Sequence, residues 1–212
     1  EQEIAGAANQ DKVSGGIKLM PGDIRFVDRN NDGVIDWGDN TVDNPGDKKI
    51  IGNSTPRYHY GINLGADWKG FDLGIFFQGV GKRDLYLPGT SFRSHYGSEW
   101  QVPSAYNNDY WTEENTGAYF PRARFNGGSA INQAQTRYMV DASYCRLKSV
   151  SIGYTLPKVL TQKASIEKIR IYFTGENLFT ISDTPDGLDP ELDNPYTYPM
   201  QRSLSVGLSL TF

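Results

Sequence analysis

The ten residues from Ser203 to Phe212 alternate small polar and apolar side chains without interruption. Successive side chains of a β-strand point to opposite faces, so this segment predicts one apolar face and one polar face. The apolar face comprises Leu204, Val206, Leu208, Leu210 and Phe212. A strand of a soluble sandwich can have this pattern. A membrane-spanning strand, which needs about 9–11 residues and lipid on one side, requires it.

Four further segments show the same alternation, and two of them are joined by the short turn Lys69-Gly70. Glycine supplies the positive φ that a two-residue hairpin turn needs. The expected strands are about 57–68, 71–79, 144–156, 168–180 and 203–212. The sequence therefore predicts an all-β fold of antiparallel, up-and-down strands.

The connections between these strands alternate in length. Residues 69–70 and 157–166 form short connections, whereas 80–142 and 182–202 form long ones. Outer-membrane barrels have short periplasmic turns and long extracellular loops. We therefore expect residues 57–212 to be barrel strands with long extracellular loops and the C-terminus on the periplasmic side. Residues 1–56 are expected to form an extracellular loop region.

Composition excludes several classes of protein. Of the 212 residues, 38% are hydrophobic, and no apolar run reaches the 18 residues that a membrane-spanning helix needs. The net charge of −4 gives no basic footprint for nucleic acid, and the single cysteine excludes an internal disulfide framework. Aromatic residues make up 13% of the chain, which together with 23 glycines favours strands and turns.

An acidic segment in the N-terminal region matches the spacing of a Ca²⁺-binding loop. Oxygen ligands at alternate positions converge on one hard cation, and a glycine at the sixth position allows the sharp turn, here Gly33. The predicted ligands are Asp28, Asn30, Asp32, the carbonyl of Val34, Asp36 and Asp39. The twelfth position is Asp39 instead of the usual Glu, so its shorter carboxylate reaches the ion less readily. The alternative is an Asx-rich turn without metal.

The long connection 80–142 is rich in aromatic residues between Asn, Ser and Asp. The candidates for contact with a substrate or a partner protein are Trp100, Tyr106, Tyr110 and Trp111. Aromatic faces suit both tasks because they bury a large area at low entropy cost. The alternative, which we favour, is that the aromatics of this loop pack against one another.

Residue patterns for catalysis are weak. His59 and His95 are the only histidines, and neither has metal-ligand spacing to another His or Cys. Cys145 lies among strand residues with no evident base near it in sequence. We therefore expect no enzymatic activity.

Several segments, in this order and spacing, resemble the C-terminal part of the SusC/RagA-type TonB-linked outer-membrane proteins of Bacteroidetes. They are PGDIRFVDRNNDGVID (21–36), residues 52–79, YCRLKSVSIGYTLP (144–157), IRIYFTGENLFTIS (169–182), GLDPE (187–191) and the terminal SVGLSLTF. The terminal strand ending in Phe also resembles the C-terminal assembly signal of outer-membrane barrels. The resemblance covers nearly the whole chain.

The resemblance implies a TonB-dependent nutrient importer of the Gram-negative outer membrane that takes up oligosaccharides or peptides. Its implied partners are the rest of the parent barrel and its plug, a SusD-like surface lipoprotein, TonB acting on the parent's N-terminal part, and outer-membrane lipid. Five strands cannot close a transporting barrel, so we expect this chain to supply closing strands and extracellular loops of a longer parent. A chain starting at Glu1 without a signal peptide agrees with an excerpt or a processed chain.

Two alternatives remain. The first is a soluble, Ca²⁺-stabilised β-sandwich that binds carbohydrate, in which the apolar faces point into a shared core. The second is a secreted hydrolase fragment, which needs two carboxylates converging in a cleft. The direction in which the apolar faces point separates the barrel from the sandwich.

Overall fold

The computed structural model describes residues 2–86, 109–124, 130, 133–185, 188–192 and 197–212. The chain divides into two compact units. The loop unit comprises residues 1–52 and 86–139, and the strand unit comprises residues 53–85 and 140–212.

The structure is all-β, with antiparallel strands, as predicted. The strands are β1 (Tyr58–Trp68), β2 (Phe71–Gly81), β3 (Asp84–Tyr86), β4 (Met139–Asp141), β5 (Tyr144–Thr155), β6 (Lys168–Ser182) and β7 (Ser203–Thr211). Five of them form one sheet in the order β1-β2-β5-β6-β7, in which every neighbouring pair is antiparallel. These five begin and end within two residues of the segments that alternation predicts. β3 and β4 form a separate two-stranded sheet.

Helices in the described residues are short. The α-helices are α1 (Gln2–Ala5), α2 (Asp11–Ser14) and α3 (Lys158–Thr161), and 3₁₀ turns cover Thr136–Tyr138 and Gln162–Ala164. None of the described helices combines the length and the apolar content needed to cross a bilayer.

The register of the five-stranded sheet lines up apolar side chains across all strands. One row of directly paired residues consists of Ala66, Leu73, Ile152, Phe173 and Val206. The adjacent row, on the opposite face, consists of Gly65, Gly74, Ser151, Thr174 and Ser205. The sheet therefore has one apolar face and one face of small and polar residues.

The apolar face is exposed along its whole width. On the two edge strands, Leu64 is 53% exposed and Val206 is 78% exposed. On the inner strands, Ile152 and Ile171 remain 46% and 49% exposed. The sandwich alternative required these side chains to be covered by a shared core, and in this structure they are not.

Glycines opposite tyrosines let aromatic rings lie flat on the sheet. Tyr60 is paired with Gly79, and its hydroxyl donates to the Tyr144 carbonyl at 3.1 Å. A Cβ at Gly79 would overlap the Tyr60 ring and press on that same carbonyl oxygen. Covering a strand glycine with a neighbouring aromatic ring compensates for the packing that glycine lacks and helps to fix the register.

The polar face has a charged bridge that crosses another glycine, Gly153. Arg170 of β6 reaches over Gly153 of β5, where its Nε donates to Asp72 Oδ1 of β2 at 2.9 Å and its Nη2 donates to Asp72 Oδ2. Asp67 lies directly opposite Asp72 on β1, so the arginine also offsets the repulsion between two facing carboxylates. This two-pronged contact ties β6 to β2 across the strand between them.

In the loop unit, the segment before the acidic loop packs on the aromatic loop. Gly22 has φ of 89° and lies against the Trp111 ring, where a side chain would not fit. The Arg122 guanidinium also lies over the Trp111 ring, 5.7 Å from its centre. The backbone N–H of Arg122 donates to the Gly22 carbonyl at 2.8 Å. Phe120 and Tyr138 are buried beside each other, with their rings stacked 5.9 Å apart.

Gly79→Ala and Gly74→Ala form a matched pair of substitutions on β2. A Cβ at Gly79 meets Tyr60 and a backbone carbonyl, whereas a Cβ at Gly74 has no atom within 4 Å. We expect Gly79→Ala to destabilise the full-length protein by about 1–3 kcal/mol, the usual cost of overpacking. Gly74→Ala should be neutral or slightly stabilising because alanine lowers the entropy of the unfolded chain. Urea unfolding of both variants in lipid vesicles measures this difference, and equal midpoints would contradict the Tyr60 contact.

Candidate functional site

A cluster of buried charges anchors the segment 188–191 of the strand unit to the sheet. Arg146 points from β5 and is 3% exposed. Its Nη2 donates to Asp189 at 2.5 Å, its Nη1 donates to Glu191 at 2.6 Å, and its Nε donates to the Thr180 hydroxyl at 2.8 Å. One guanidinium therefore holds two carboxylates and a neighbouring strand, a task that its fork of donors suits better than a lysine ammonium.

Two further cations complete this anchor. Lys148 Nζ lies 3.1 Å from both carboxylate oxygens of Glu191. The guanidinium of Arg83, which follows β2, donates from Nη1 to the Pro190 carbonyl at 3.0 Å. We call Arg83, Arg146, Lys148, Asp189 and Glu191 the loop anchor.

The pKa of Asp189 is below its usual value. Burial of the carboxyl group raises this pKa, but the Glu191 N–H, the Arg146 guanidinium and the Met200 N–H all donate to the charged form and outweigh burial. Asp189 is therefore a carboxylate at neutral pH and holds both the Arg146 side chain and the backbone of residues 191 and 200.

A cavity of about 500 Å³ lies beside the loop anchor. It is lined on the sheet side by Arg146, Asn177 and Thr180, and on the loop side by Asp189, Met200 and Arg202. Asn177 has φ of 51° at the point where β6 has an extra residue relative to β5, so a β-bulge shapes this wall. The polar lining and open shape suit a polar ligand or contact with another loop.

Sequence reasoning missed the loop anchor. The sequence identifies GLDPE as a motif and places Arg146 and Lys148 in a strand, but no local pattern relates these residues across about 40 positions. The signal that could have indicated such a contact is an arginine in an otherwise alternating strand together with an acidic pair in a proline-rich loop.

All six predicted calcium ligands lie in the described part of the loop unit, and the side-chain oxygens of the five Asp and Asn ligands accept hydrogen bonds from the chain itself. The Asp28 carboxylate accepts from the N–H groups of Asn31 and Gly33 at 2.7 and 2.8 Å. Asp32 accepts from the Val34 N–H at 2.8 Å, and Asp39 accepts from the Asn44 amide at 2.8 Å. Such contacts are those of a loop built from Asx turns.

Asp36 has a cationic partner in this structure. Lys12 Nζ lies 2.6 Å from Asp36 Oδ2, and the Gly38 N–H donates to Oδ1 at 2.8 Å. These contacts, that of Lys12 foremost, lower the pKa of Asp36. Within the described residues, no three His, Cys, Asp or Glu side chains form a group able to hold a metal ion. Calcium binding by this loop therefore stays a prediction.

The aromatic candidates fall in different places. Trp100 and Tyr106 lie outside the described residues. Trp111 lines a cavity of about 830 Å³ in the loop unit, together with Asp23, Ile35, Phe120, Arg137 and Tyr138, whereas Tyr110 is not among the lining residues. Tyr119, Phe120 and Tyr138 contact one another edge to face or stacked. Packing, the alternative favoured from sequence, accounts for these three.

Asp23 is the buried acid of this cavity wall. Its side chain is 4% exposed, and Arg124 Nη1 lies 3.1 Å from its Oδ2. Burial raises the pKa of Asp23 despite the hydrogen bond from the Met20 N–H and the charge of Arg124. The volume of the cavity is in the range of small-molecule sites. Its lining includes aromatic side chains and three acids, Asp23, Asp36 and Asp47, whose carboxylates can accept hydrogen bonds from a ligand.

Similarity to known proteins agrees with this architecture. The chain is 32% identical, over 91% of its length, to the TonB-dependent receptor P3 of Formosa agariphila and covers 19% of that protein. It is 29% identical, over 88% of its length, to the TonB-dependent receptor SusC of Bacteroides thetaiotaomicron and covers 17% of it. No protein-family model matches the chain.

Among solved structures, the RagAB peptide importer in its closed-closed state matches 81% of the chain and 19% of the matched chain, with a TM-score of 0.63 and 28% sequence identity. These matches define the class: over most of its length, the chain corresponds in sequence and fold to a part of the TonB-dependent receptors. Within that class it resembles the SusC/RagA type, as its motifs predict. It spans about a fifth of the length of the relatives that it matches. These relatives are receptors and transporters, not enzymes.

We expect Arg146→Ala to release the loop anchor. The substitution leaves the largely buried Asp189 without its cation, which typically costs about 3–5 kcal/mol. Lys148→Ala is the matched control, since its side chain is 27% exposed and its ion pair is worth about 1 kcal/mol or less. Limited proteolysis of the full-length protein should nick the region 182–202 much faster in Arg146→Ala than in Lys148→Ala. Equal cleavage rates in the two variants would show that the anchor does not hold the loop.

If the acidic loop binds calcium, Ca²⁺ should raise the melting temperature of the full-length protein relative to EDTA. Asp28→Asn should abolish this difference because it removes a charged ligand from the first position of the loop. Asp43→Asn, in the same exposed region but outside the ligand set, should keep it. Identical melting curves in Ca²⁺ and EDTA, with no heat of binding in calorimetry, would leave the metal-free Asx turn as the correct account.

Proposed function

We propose that this chain supplies closing strands and extracellular loops of the outer-membrane barrel of a TonB-dependent nutrient importer. The observation that carries the proposal is the exposed apolar face shared by the five neighbouring antiparallel strands of the sheet. Water disfavours so large a continuous apolar surface, whereas lipid tails suit it. The five strands contain 11, 11, 12, 15 and 9 residues, enough for tilted strands to cross the hydrocarbon core.

The proposal assigns the opposite face to the barrel interior. This face has the row of small residues from Gly65 to Ser205 and the bridge between Arg170 and Asp72. Charged and small side chains are typical of a lumen that contains water or a plug. The Arg170 bridge would then lie inside the barrel, near the end marked by the turn at Lys69-Gly70.

We infer the sidedness from the connections. β1 and β2 are joined by two residues, and β5 and β6 by a short helical turn, at the same end of the sheet. That end would be periplasmic, with the C-terminus, and the loop anchor at the other end would be extracellular. A fixed loop at the extracellular mouth suits contact with a SusD-like lipoprotein or with the nutrient.

The proposed nutrient and partners of the parent protein are based on its relatives. RagAB is described as a peptide importer, and SusC as a TonB-dependent receptor. We propose that the parent protein imports an oligosaccharide or a peptide, with a plug inside its barrel, a SusD-like lipoprotein at its outer face, and TonB acting on its N-terminal part. The cavities beside the loop anchor and in the loop unit are the proposed places where the chain meets the nutrient.

Val206→Lys and Ser205→Lys test which face contacts lipid. Val206 is 78% exposed on the apolar face, and Ser205 is its neighbour on the polar face. In a lipid-embedded barrel, Val206→Lys should cost up to about 2–4 kcal/mol near the bilayer centre, whereas Ser205→Lys should cost much less. The free energy of unfolding of the full-length protein, measured in lipid vesicles, gives both values.

A protein that is not embedded in lipid would behave differently. A lysine in place of an exposed valine would then be neutral or would improve solubility, and the two variants would have equal stability. That result, or a native species extracted without detergent, would contradict the proposed function.

A further inference from the structure

The short connection between β5 and β6 exposes two large apolar side chains next to lysines. Helix α3 presents Val159 at 74% exposure and Leu160 at 59% exposure. Thr161, the next residue, is only 1% exposed, and its hydroxyl donates to the Lys158 carbonyl at 3.3 Å. The helix therefore buries Thr161 and keeps Val159 and Leu160 outside.

This helix follows directly on the aromatic end of the apolar face. Phe71 and Tyr154 pack there with ring centres 4.5 Å apart, and Trp68 is 68% exposed beside them. Aromatic residues at the ends of membrane strands mark the boundary between the lipid tails and the headgroups. α3 begins four residues after Tyr154, so it lies at the level of the headgroups or just beyond.

The charges at this end of the sheet are mainly positive. Residues 156–168 contain three lysines, Lys158, Lys163 and Lys168, and one acidic residue, Glu167. In the neighbouring turn, Lys69 Nζ lies 5.1 Å from the centre of the Trp68 ring. Two other acids at this end, Asp67 and Asp72, pair directly on the polar face, where Arg170 binds Asp72. No ion pair found among the described residues uses these lysines.

We propose that α3 is an interfacial anchor, which inserts Val159 and Leu160 into the headgroup region of a leaflet that contains anionic phospholipid. The proposal rests on the proposed function, since it needs the strands to be in a bilayer. Exposed apolar side chains next to lysines are the arrangement of helices that lie in a membrane interface. Lys158 and Lys163 have long apolar stems that let their ammonium groups reach lipid phosphates while the helix stays inserted. The lipid is recognised by its negative charge and its apolar boundary, both of which α3 matches.

Single-cysteine labelling of the full-length protein tests this insertion. The native cysteines, Cys145 among them, are replaced by serine, and Leu160→Cys, Gln162→Cys and Leu208→Cys are each labelled with an environment-sensitive fluorophore. Gln162 is the exposed polar control two residues further along, and Leu208 is a lipid-facing strand control. The labelled proteins are reconstituted in vesicles of phosphatidylethanolamine and phosphatidylglycerol. Quenching by lipids with a nitroxide near the headgroup then reports the depth of each label.

We expect the label at position 160 to be quenched about twofold more strongly than the label at 162, as for a side chain roughly 5–10 Å below the headgroup boundary. Equal quenching at 160 and 162, with strong lipid quenching at 208, would overturn the anchor while leaving the barrel intact. Absence of lipid quenching at 208 would instead show that the proposed function is wrong.

The charge requirement is tested by the double substitution Lys158→Gln and Lys163→Gln. In vesicles with phosphatidylglycerol it should lower quenching at position 160 to the level seen without phosphatidylglycerol. Lys82→Gln, at the opposite end of the sheet, should change nothing. Quenching at 160 that depends neither on phosphatidylglycerol nor on these two lysines would contradict recognition of anionic lipid.

Discussion

Backbone hydrogen bonding is the main constraint on the strand unit. Every N–H and C=O group of a strand needs a partner, although one face of each strand is apolar. A membrane-spanning strand has no water for its N–H and C=O groups, so each strand must bond to a neighbour on both sides. The five strands meet this condition internally for β2, β5 and β6. β1 and β7 each have one edge without a neighbour in the five-stranded sheet, which agrees with a segment whose remaining partners belong to a longer protein.

The strands were predictable because alternation is local information. A period of two needs only four or five consecutive residues, as in Ser203–Thr211, and the apolar row across the sheet follows once each strand is placed. The ends differ by one or two residues, as where β2 continues to Gly81 and β6 continues to Ser182. The short connections 69–70 and 157–166 join strands that pair directly, β1 with β2 and β5 with β6.

The candidate site was predicted less well because its contacts are not local. Arg146 meets Asp189 and Glu191 across 43 and 45 positions, and no periodicity relates a strand arginine to a loop carboxylate. The acidic loop is hard to interpret from sequence for a different reason. Its spacing is that of a cation site, yet the same Asp and Asn residues satisfy the N–H groups of Asn31, Gly33 and Val34 in turns. Ligand spacing and turn chemistry favour the same residues, so sequence alone does not separate them.

The two ends of the sheet are built by different means, and this difference bears on function. At the end with long connections, buried charged side chains hold the chain, since Arg146 binds Glu191 and Arg83 binds the Pro190 carbonyl. At the end with short turns, exposed aromatic and aliphatic side chains, such as Trp68 and Leu160, lie next to exposed lysines. Buried ion pairs fix the geometry of a loop and suit a surface that must recognise a nutrient or a partner protein. Exposed apolar side chains with flexible cations suit a fluid environment, in which depth matters more than exact position. The asymmetry agrees with the proposed barrel, in which the loops at one end would contact a nutrient or a partner protein and the turns at the other end would contact the lipid interface.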